Sequence, residues 1–494
     1  MSQSLSSAGS DSVKFGRNQA ARVPPHQRPL SPLEWAVLLH LGIMLAFATW
    51  GFGSGAEWVR TGLAWWGSLS VLLILTFVQD KENRANGGLR PLHGLWPLIA
   101  LDLLTLLACL SPTFRPMHAG SEIMLIKVEV PAWRPSSALP AAALYEVWLF
   151  NALYLSAFSV TLIIRQRRAL RGLLIFAGIN ALVLAVFGTV QKLAGSSGLF
   201  FGLVPSPQSF FFSSFVYHNH WGSFAVLMAA ATLGLTWHYA RRREDRDFLH
   251  SPAFTWMICV LVIAATVPLS GSRACSILMM ILLGGALFHS LIRIIRRRRR
   301  FRESVALPLL GLCAAVLLGA GAVWFVARDS IALRVAKTQE QVATMRAEGS
   351  IGGRAVIYRD TWAMARDKLW FGWGTGSFPH VFQIYLTLRP GPDRLPIYYT
   401  DAHSDWLQSV AEHGLVGTAL LGLCALVPLG RLRPRHFTSA LTLYLLAGCA
   451  LILIYAWVEF PFGNAAVVLS WWLCFFCAVH YARLQDREAP SSSP

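Results

Sequence analysis

Apolar stretches close to twenty residues long recur along the chain, each closed by a short polar or basic break. A helix needs roughly 20 mostly apolar residues to cross the hydrocarbon core of a bilayer. Twelve stretches meet that length. They lie at 34–52, 61–78, 94–112, 142–163, 171–193 and 219–240, then at 253–270, 274–292, 305–327, 414–430, 438–458 and 465–482. The pattern fails in three places, and these divide the chain. Residues 1–30, rich in Ser, Arg and Pro, read as a disordered tail. Spans one to nine occupy 31–327, a loop domain fills 328–413, spans ten to twelve occupy 414–482, and a second tail covers 483–494. The expected fold is an all-α polytopic membrane protein of about twelve transmembrane helices.

The segment 328–413 is too long and too patterned for a linker. It opens with an amphipathic stretch from Ile331 to Arg346 and breaks at Gly349-Ser-Ile-Gly-Gly353. A second helical stretch follows from Arg354 to Leu369, with Tyr358, Trp362, Ala365 and Leu369 at spacings of three and four. Then come Gly372-Trp-Gly-Thr-Gly376 and a loop holding Pro390, Pro392 and Pro396.

Composition removes the soluble alternatives. Apolar residues make up 55% of the chain and charged ones 14%, against roughly 25% charged in an ordinary soluble domain. The formal net charge of +18 would suggest a nucleic-acid partner in a soluble protein, but the arginines cluster between apolar stretches on alternate sides. Such loops stay in the cytoplasm. The short loops on the other side carry only Arg60, Arg115, Lys127, Arg134, Lys192 and Arg273, so both termini and the Arg296–Arg300 run are expected inside. That run reads as a topology anchor that is also able to contact anionic lipid headgroups. All eight cysteines fall inside expected spans, where buried thiols behave as small hydrophobes.

The chemistry-bearing residues gather on the outer side. His403, in Thr400-Asp-Ala-His-Ser-Asp-Trp-Leu407, has a ring that can take a proton from a hydroxyl near neutral pH. Asp401 and Asp405 stand ready to orient it, and a surface histidine packed on Trp406 is the plain alternative. Arg273 lies at a span end in Ser270-Gly-Ser-Arg-Ala274 and Arg354 opens the second loop helix. A guanidinium matches phosphate with two parallel hydrogen bonds, whereas an arginine at a span end also reaches for headgroups. Arg359 and Arg366 are alternatives on the same helix. Tyr217-His-Asn-His-Trp-Gly222 suits either sugar hydroxyls or an interfacial aromatic belt. The Gly372-x-Gly-x-Gly376 run lacks the spacing of a dinucleotide site, and the outer histidines lack metal-ligand spacing.

The stretch 351–417 resembles the O-antigen ligase and O-antigen polymerase superfamily of integral membrane glycosyltransferases. The resemblance runs through Arg354, Tyr358, Trp362 and Ala363, Leu369-Trp-Phe-Gly372, Gly374-x-Gly376-x-Phe378, Ala402-His403-Ser404, and Glu412-x-Gly414-x-x-Gly417. Ser272-Arg273, the Asn219 motif and Val458-Glu-Phe-Pro461 with Asn464 extend it over about 215–482. Ser404 stands where Asn is the more frequent neighbour, and two histidines flank Asn219 where the family often has Asn-x-Asn.

The resemblance implies a GT-C-like helical bundle. It implies His403 as the base activating an acceptor hydroxyl, and Arg273 and Arg354 as the grip on a donor diphosphate. Asp401, Asp405, Asn219, His218 and Tyr358 are candidates for support or glycan contact. The donor implied is a glycan on undecaprenyl diphosphate; the acceptor is lipid A core or another glycan. The reaction implied is inverting and metal-independent, with no cofactor, in a bacterial inner membrane with its active site facing the periplasm. Ligase and polymerase share these motifs, and a protein-glycosylating relative is a third possibility. A flippase for lipid-linked glycan is the competitor from another class. It would place charges inside spans and show related halves, whereas Asp102 and Glu146 are the few internal charges here.

Overall fold

The computed structural model describes residues 29–80, 89–119, 122–208, 210–241, 250–302, 353–387 and 398–488, with isolated residues between 304 and 339. The tail 1–28, the bulk of the expected ninth span, the amphipathic stretch 331–346 and the proline loop at 388–397 lie outside the described residues, as does 489–494.

Thirteen α-helices are present among the described residues. The first seven are α1 (Pro32–Trp50), α2 (Glu57–Gln79), α3 (Trp96–Cys109), α4 (Pro140–Ile163), α5 (Arg167–Leu193), α6 (His218–Arg241) and α7 (Pro252–Ser270). The others are α8 (Arg273–Arg300), α9 (Gly353–Asp367), α10 (Phe378–Tyr385), α11 (Asp405–Leu429), α12 (Ala440–Tyr455) and α13 (Ala465–Glu488). Among the described residues eight helices are long and apolar enough to cross a membrane, and α3 and α12 are shorter apolar ones. The fold is that of an all-α polytopic membrane protein.

Local sequence sets the ends. Ser31 caps α1, its hydroxyl accepting from Glu34 N at 3.2 Å while Ser31 N donates to Glu34 Oε2 at 2.9 Å. This reciprocal pair, with Pro32 at the first turn, satisfies donors the helix leaves open. Expected and observed ends differ by a few residues, except that α8 runs on through Arg300, α13 continues to Glu488 and α11 begins well before the apolar stretch, at Asp405.

The bundle is organised around α6, which packs against α5, α7, α8, α12 and α13. Its run of small residues, among them Ala229, Ala230 and Ala231, is fully buried. Small side chains let backbones approach where no hydrophobic drive exists between helices. Interhelical hydrogen bonds add registry. Trp50 Nε1 donates to Asn180 Oδ1 at 3.0 Å, Asn180 Nδ2 donates to Thr49 at 3.1 Å, and His40 Nε2 lies 2.9 Å from Ser156 Oγ. Each is worth on the order of 0.6–1.7 kcal/mol in a membrane. The seven cysteines among the described residues are free.

A smaller core sits at one end of the bundle. Ile357, Met364 and Ala365 of α9 pack with Trp373, Phe378 and Phe382. The buried face of α9 is therefore Ile357, Thr361, Met364 and Ala365, while Trp362 is 46% exposed, so the helix forms as its spacing predicts but turns a different face inward. Beside it an antiparallel hairpin pairs Phe114–Ala119 with Glu122–Lys127, strand structure that apolar periodicity alone does not anticipate.

Candidate active site

The chain from 400 to 407 makes a tight turn into α11. His403 has φ 52°, a left-handed conformation that costs a non-glycine residue about 1–2 kcal/mol. The surroundings hold it there. Tyr358 OH donates to the His403 carbonyl at 2.9 Å and Ala402 N to Gln408 Oε1 at 2.9 Å. Asp405 N donates to the Glu459 carbonyl at 3.2 Å. Asp405 Oδ2 accepts from Phe462 N at 2.8 Å, and Ser404 caps α11. Strain of this kind, fixed from several sides, concentrates at functional sites.

The imidazole rests edge-on against Phe460, ring centroids 5.0 Å apart, and not on Trp406, whose indole donates to the Leu453 carbonyl at 2.9 Å. His403 Nδ1 lies 3.6 Å from Glu459 Oε2. That is an electrostatic contact slightly beyond hydrogen-bond range, and it leaves Nε2 for another partner. Arg354 Nη2 forms an ion pair with Glu459 Oε1, and Arg354 Nη1 donates to the Val458 carbonyl at 3.0 Å. One buried carboxylate thus holds both an arginine and a histidine. Glu459 is 3% exposed at its side chain while Arg354 is 53% exposed, so the guanidinium keeps N–H groups open to solvent or ligand.

The network continues to the start of α8. Tyr217 OH donates to Glu459 Oε2 at 3.4 Å, Asn219 Nδ2 donates to Tyr217 OH at 2.8 Å, and Ser272 Oγ donates to Asn219 Oδ1 at 2.6 Å. Arg273 follows Ser272 as the first, exposed residue of α8. Burial pushes the Glu459 carboxyl up, but His403 and Arg354 outweigh it and the net displacement is below the usual carboxylate range. Burial pushes the Tyr217 phenol well up, which keeps it a proton donor to Glu459.

The expected residues divide accordingly. His403, Arg354, Tyr358 and Asn219 meet around Glu459, with Arg273 next to Ser272 of the same network. Asp405 spends its carboxylate on the 460–463 turn. Asp401 accepts from Thr400 Oγ1 at 2.7 Å and faces a cavity of about 1220 Å³ that also contains His403; burial raises its carboxyl. His218 Nδ1 lies 3.2 Å from the Phe210 carbonyl, and its ring packs edge-on against Tyr217 with centroids 4.9 Å apart. Arg359 is turned to Asp360 and Thr387. Glu459 is the residue that sequence reasoning passed over, although it stands inside the Val458-Glu-Phe-Pro461 motif.

The glycine run has a structural task. Gly414 interrupts α11 at φ 66°, ψ −176°, and Gly372-Trp-Gly-Thr-Gly376 closes on that break. Trp373 N donates to the Ala411 carbonyl at 3.0 Å, and Gly374 N to the Glu412 carbonyl at 2.8 Å. The Glu412 carboxylate takes Gly376 N at 3.1 Å and Phe378 N at 2.8 Å. A Cβ at Gly372 would overlap the Glu412 carbonyl. The clasp fixes α9 and α10 to α11, and so fixes Arg354 relative to His403.

A helical membrane protein with a buried polar network at one end of its bundle is the class these features define. Residues 257–422, about a third of the chain, match the family model for O-antigen ligase. Over that stretch the chain is similar to the O-antigen ligase family, and the match supports an O-antigen-ligase-like membrane protein. The matched stretch contains Arg273, Arg354 and His403 and stops short of Glu459. A search of curated proteins returns no match.

Proposed function

We propose that the protein is a membrane glycosyltransferase that moves a glycan from undecaprenyl diphosphate to an acceptor hydroxyl at the periplasmic face, in the manner of an O-antigen ligase. The observation that carries this reading is the single carboxylate of Glu459, shared by Arg354 and His403 and linked through Tyr217 and Asn219 to the Ser272-Arg273 turn.

In this reading Arg354 and Arg273 grip the diphosphate. The acceptor oxygen attacks the anomeric carbon from the side opposite the leaving group. The carbon–oxygen bond to the diphosphate breaks with its electron pair passing to the phosphate oxygen, and the hydroxyl proton passes to His403 Nε2. Displacement from the far side inverts the anomeric centre. Fixed guanidiniums stabilise the charge that develops on the leaving group without having to reorganise. His403 Nδ1 faces Glu459, so the carboxylate stabilises the imidazolium that forms.

The position of the site agrees with the charge pattern. It lies at the end of α8 opposite the Arg296–Arg300 run, so if that run is cytoplasmic the site is outside. The test is in cells: strains carrying His403→Ala at wild-type protein levels are expected to lose attachment of polysaccharide to its surface acceptor while long free chains persist. Single repeat units on the acceptor would indicate polymerisation instead, and normal attachment would remove His403 as the base.

A further inference from the structure

The cavity beside His403 has walls that differ in kind from the Glu459 network. Neither Arg273 nor Arg354 lines it. The arginine that does, Arg60, has Nη2 at 2.7 Å from both oxygens of Glu146, so its charge is already met. Four carboxylates, those of Glu146, Asp401, Asp405 and Glu412, reach the same wall. Asp405 and Glu412 are committed to backbone N–H groups, whereas Asp401 accepts from the Thr400 hydroxyl. Tyr398, Tyr399 and Phe460 supply ring faces, and Gln408 and Ser409 supply polar groups. Lower down the lining turns apolar, through Leu153, Leu421 and Leu426, so polar partners of a ligand are confined to the upper chamber.

An in-line displacement places the acceptor opposite the leaving diphosphate. With the two phosphate-gripping arginines absent from its lining, the cavity is the acceptor side of His403. We infer that the chamber accepts a sugar that is uncharged or carries an amine at its reacting end, and that it rejects one bearing phosphate there. Glu146, by capping Arg60, and Asp401 are the specificity-determining residues. Aromatic faces suit the C–H face of a pyranose, while a phosphate would find the Arg60 guanidinium already bound by Glu146 and further carboxyl groups, among them Asp401, in the same site of reduced dielectric. This inference rests on the proposed transfer reaction for its assignment of sides, but its binding prediction can be read without turnover.

The experiment uses three matched trisaccharides, differing only in a hydroxyl, an amine or a phosphate on the terminal sugar. Binding to the full-length protein in nanodiscs is measured by competition saturation-transfer NMR, and transfer is measured in parallel. The neutral and amine-bearing probes are expected to bind at least about tenfold more tightly than the phosphorylated one. Glu146→Gln, which uncaps Arg60, is expected to shrink that gap to about threefold or less. Asp401→Asn is expected to weaken the preference for the amine-bearing probe. Equal binding of all three by the wild-type protein, or a Glu146→Gln variant with an unchanged ranking, overturns the inference. The expected ranking without any transfer would uphold the chamber's selectivity and remove the glycosyl-transfer reading, whereas transfer without the ranking would do the reverse.

Discussion

Replacing Glu459 by Gln keeps the volume and removes the charge that Arg354 and His403 share. The side chain is 3% exposed, so water cannot take over its role. Its Oε1 meets Arg354, and its Oε2 faces both Tyr217 OH at 3.4 Å and His403 Nδ1 at 3.6 Å. An amide must turn its NH₂ toward one of these groups, two of which are donors by chemistry. A hydrogen bond to a charged group is worth about 1.5–3 kcal/mol, and 1.36 kcal/mol is a factor of ten in rate. Should all of that loss appear in the transition state, transfer falls by about 10- to 150-fold.

The pH profile carries independent information. The native carboxyl of Glu459 lies below its ordinary value. Its stabilising contribution is therefore complete above the unfolded carboxylate range and is lost as pH falls through the lowered native value. The wild-type protein should lose this contribution on acidification and the Gln variant should have none to lose. The assay is kcat, donor KM and thermal stability from about pH 3 to 8 in nanodiscs, which reaches below the ordinary carboxylate range. A Glu459→Gln protein with kcat within twofold of wild type and an unchanged acid limb would refute the shared-carboxylate account.

Other perturbations separate positioning from chemistry. Tyr358→Phe removes the 2.9 Å bond to the strained His403 carbonyl; a loss of about 1 kcal/mol should lower kcat several-fold with donor KM unchanged, and a larger effect on KM would argue for direct glycan contact. Gly372→Ala forces a Cβ onto the Glu412 carbonyl at a left-handed φ of 70°, and is expected to lower the melting temperature in detergent by several degrees; an unchanged melt would remove the clasp from the account. Arg354→Lys keeps one charge but cannot hold Glu459, the Val458 carbonyl and a phosphate with one planar fork. Donor KM should rise about tenfold or more, and retention of donor affinity would free Arg354 from the diphosphate.

The bundle was legible because apolar runs of spanning length admit few readings in a lipid environment. The helices at Pro32–Trp50 and Pro140–Ile163 follow their hydropathy within a few residues. By contrast, α6 is 24 residues long but rich in small residues, and its central position follows from close packing that no hydropathy pattern records. His403, Arg354 and Arg273 were legible as residue types in motifs. Glu459 was not, because a carboxylate in the short connector before α13 acquires meaning only when it meets Arg354, 105 positions earlier in the chain. The acceptor-side role of the Arg60–Glu146 pair was hidden for the same reason, as those residues come from α2 and α4. The glycine run closes on the break at Gly414, a partner that lies beyond the reach of spacing rules.

The most direct measurement is single-turnover transfer by purified protein in nanodiscs, with an undecaprenyl-diphosphate-linked glycan, an acceptor and a chelator. The account predicts an inverted glycosidic product from the wild-type protein, and no product from His403→Ala at unchanged donor affinity. Transfer by His403→Ala at the wild-type rate, or a product that retains anomeric configuration, would contradict it.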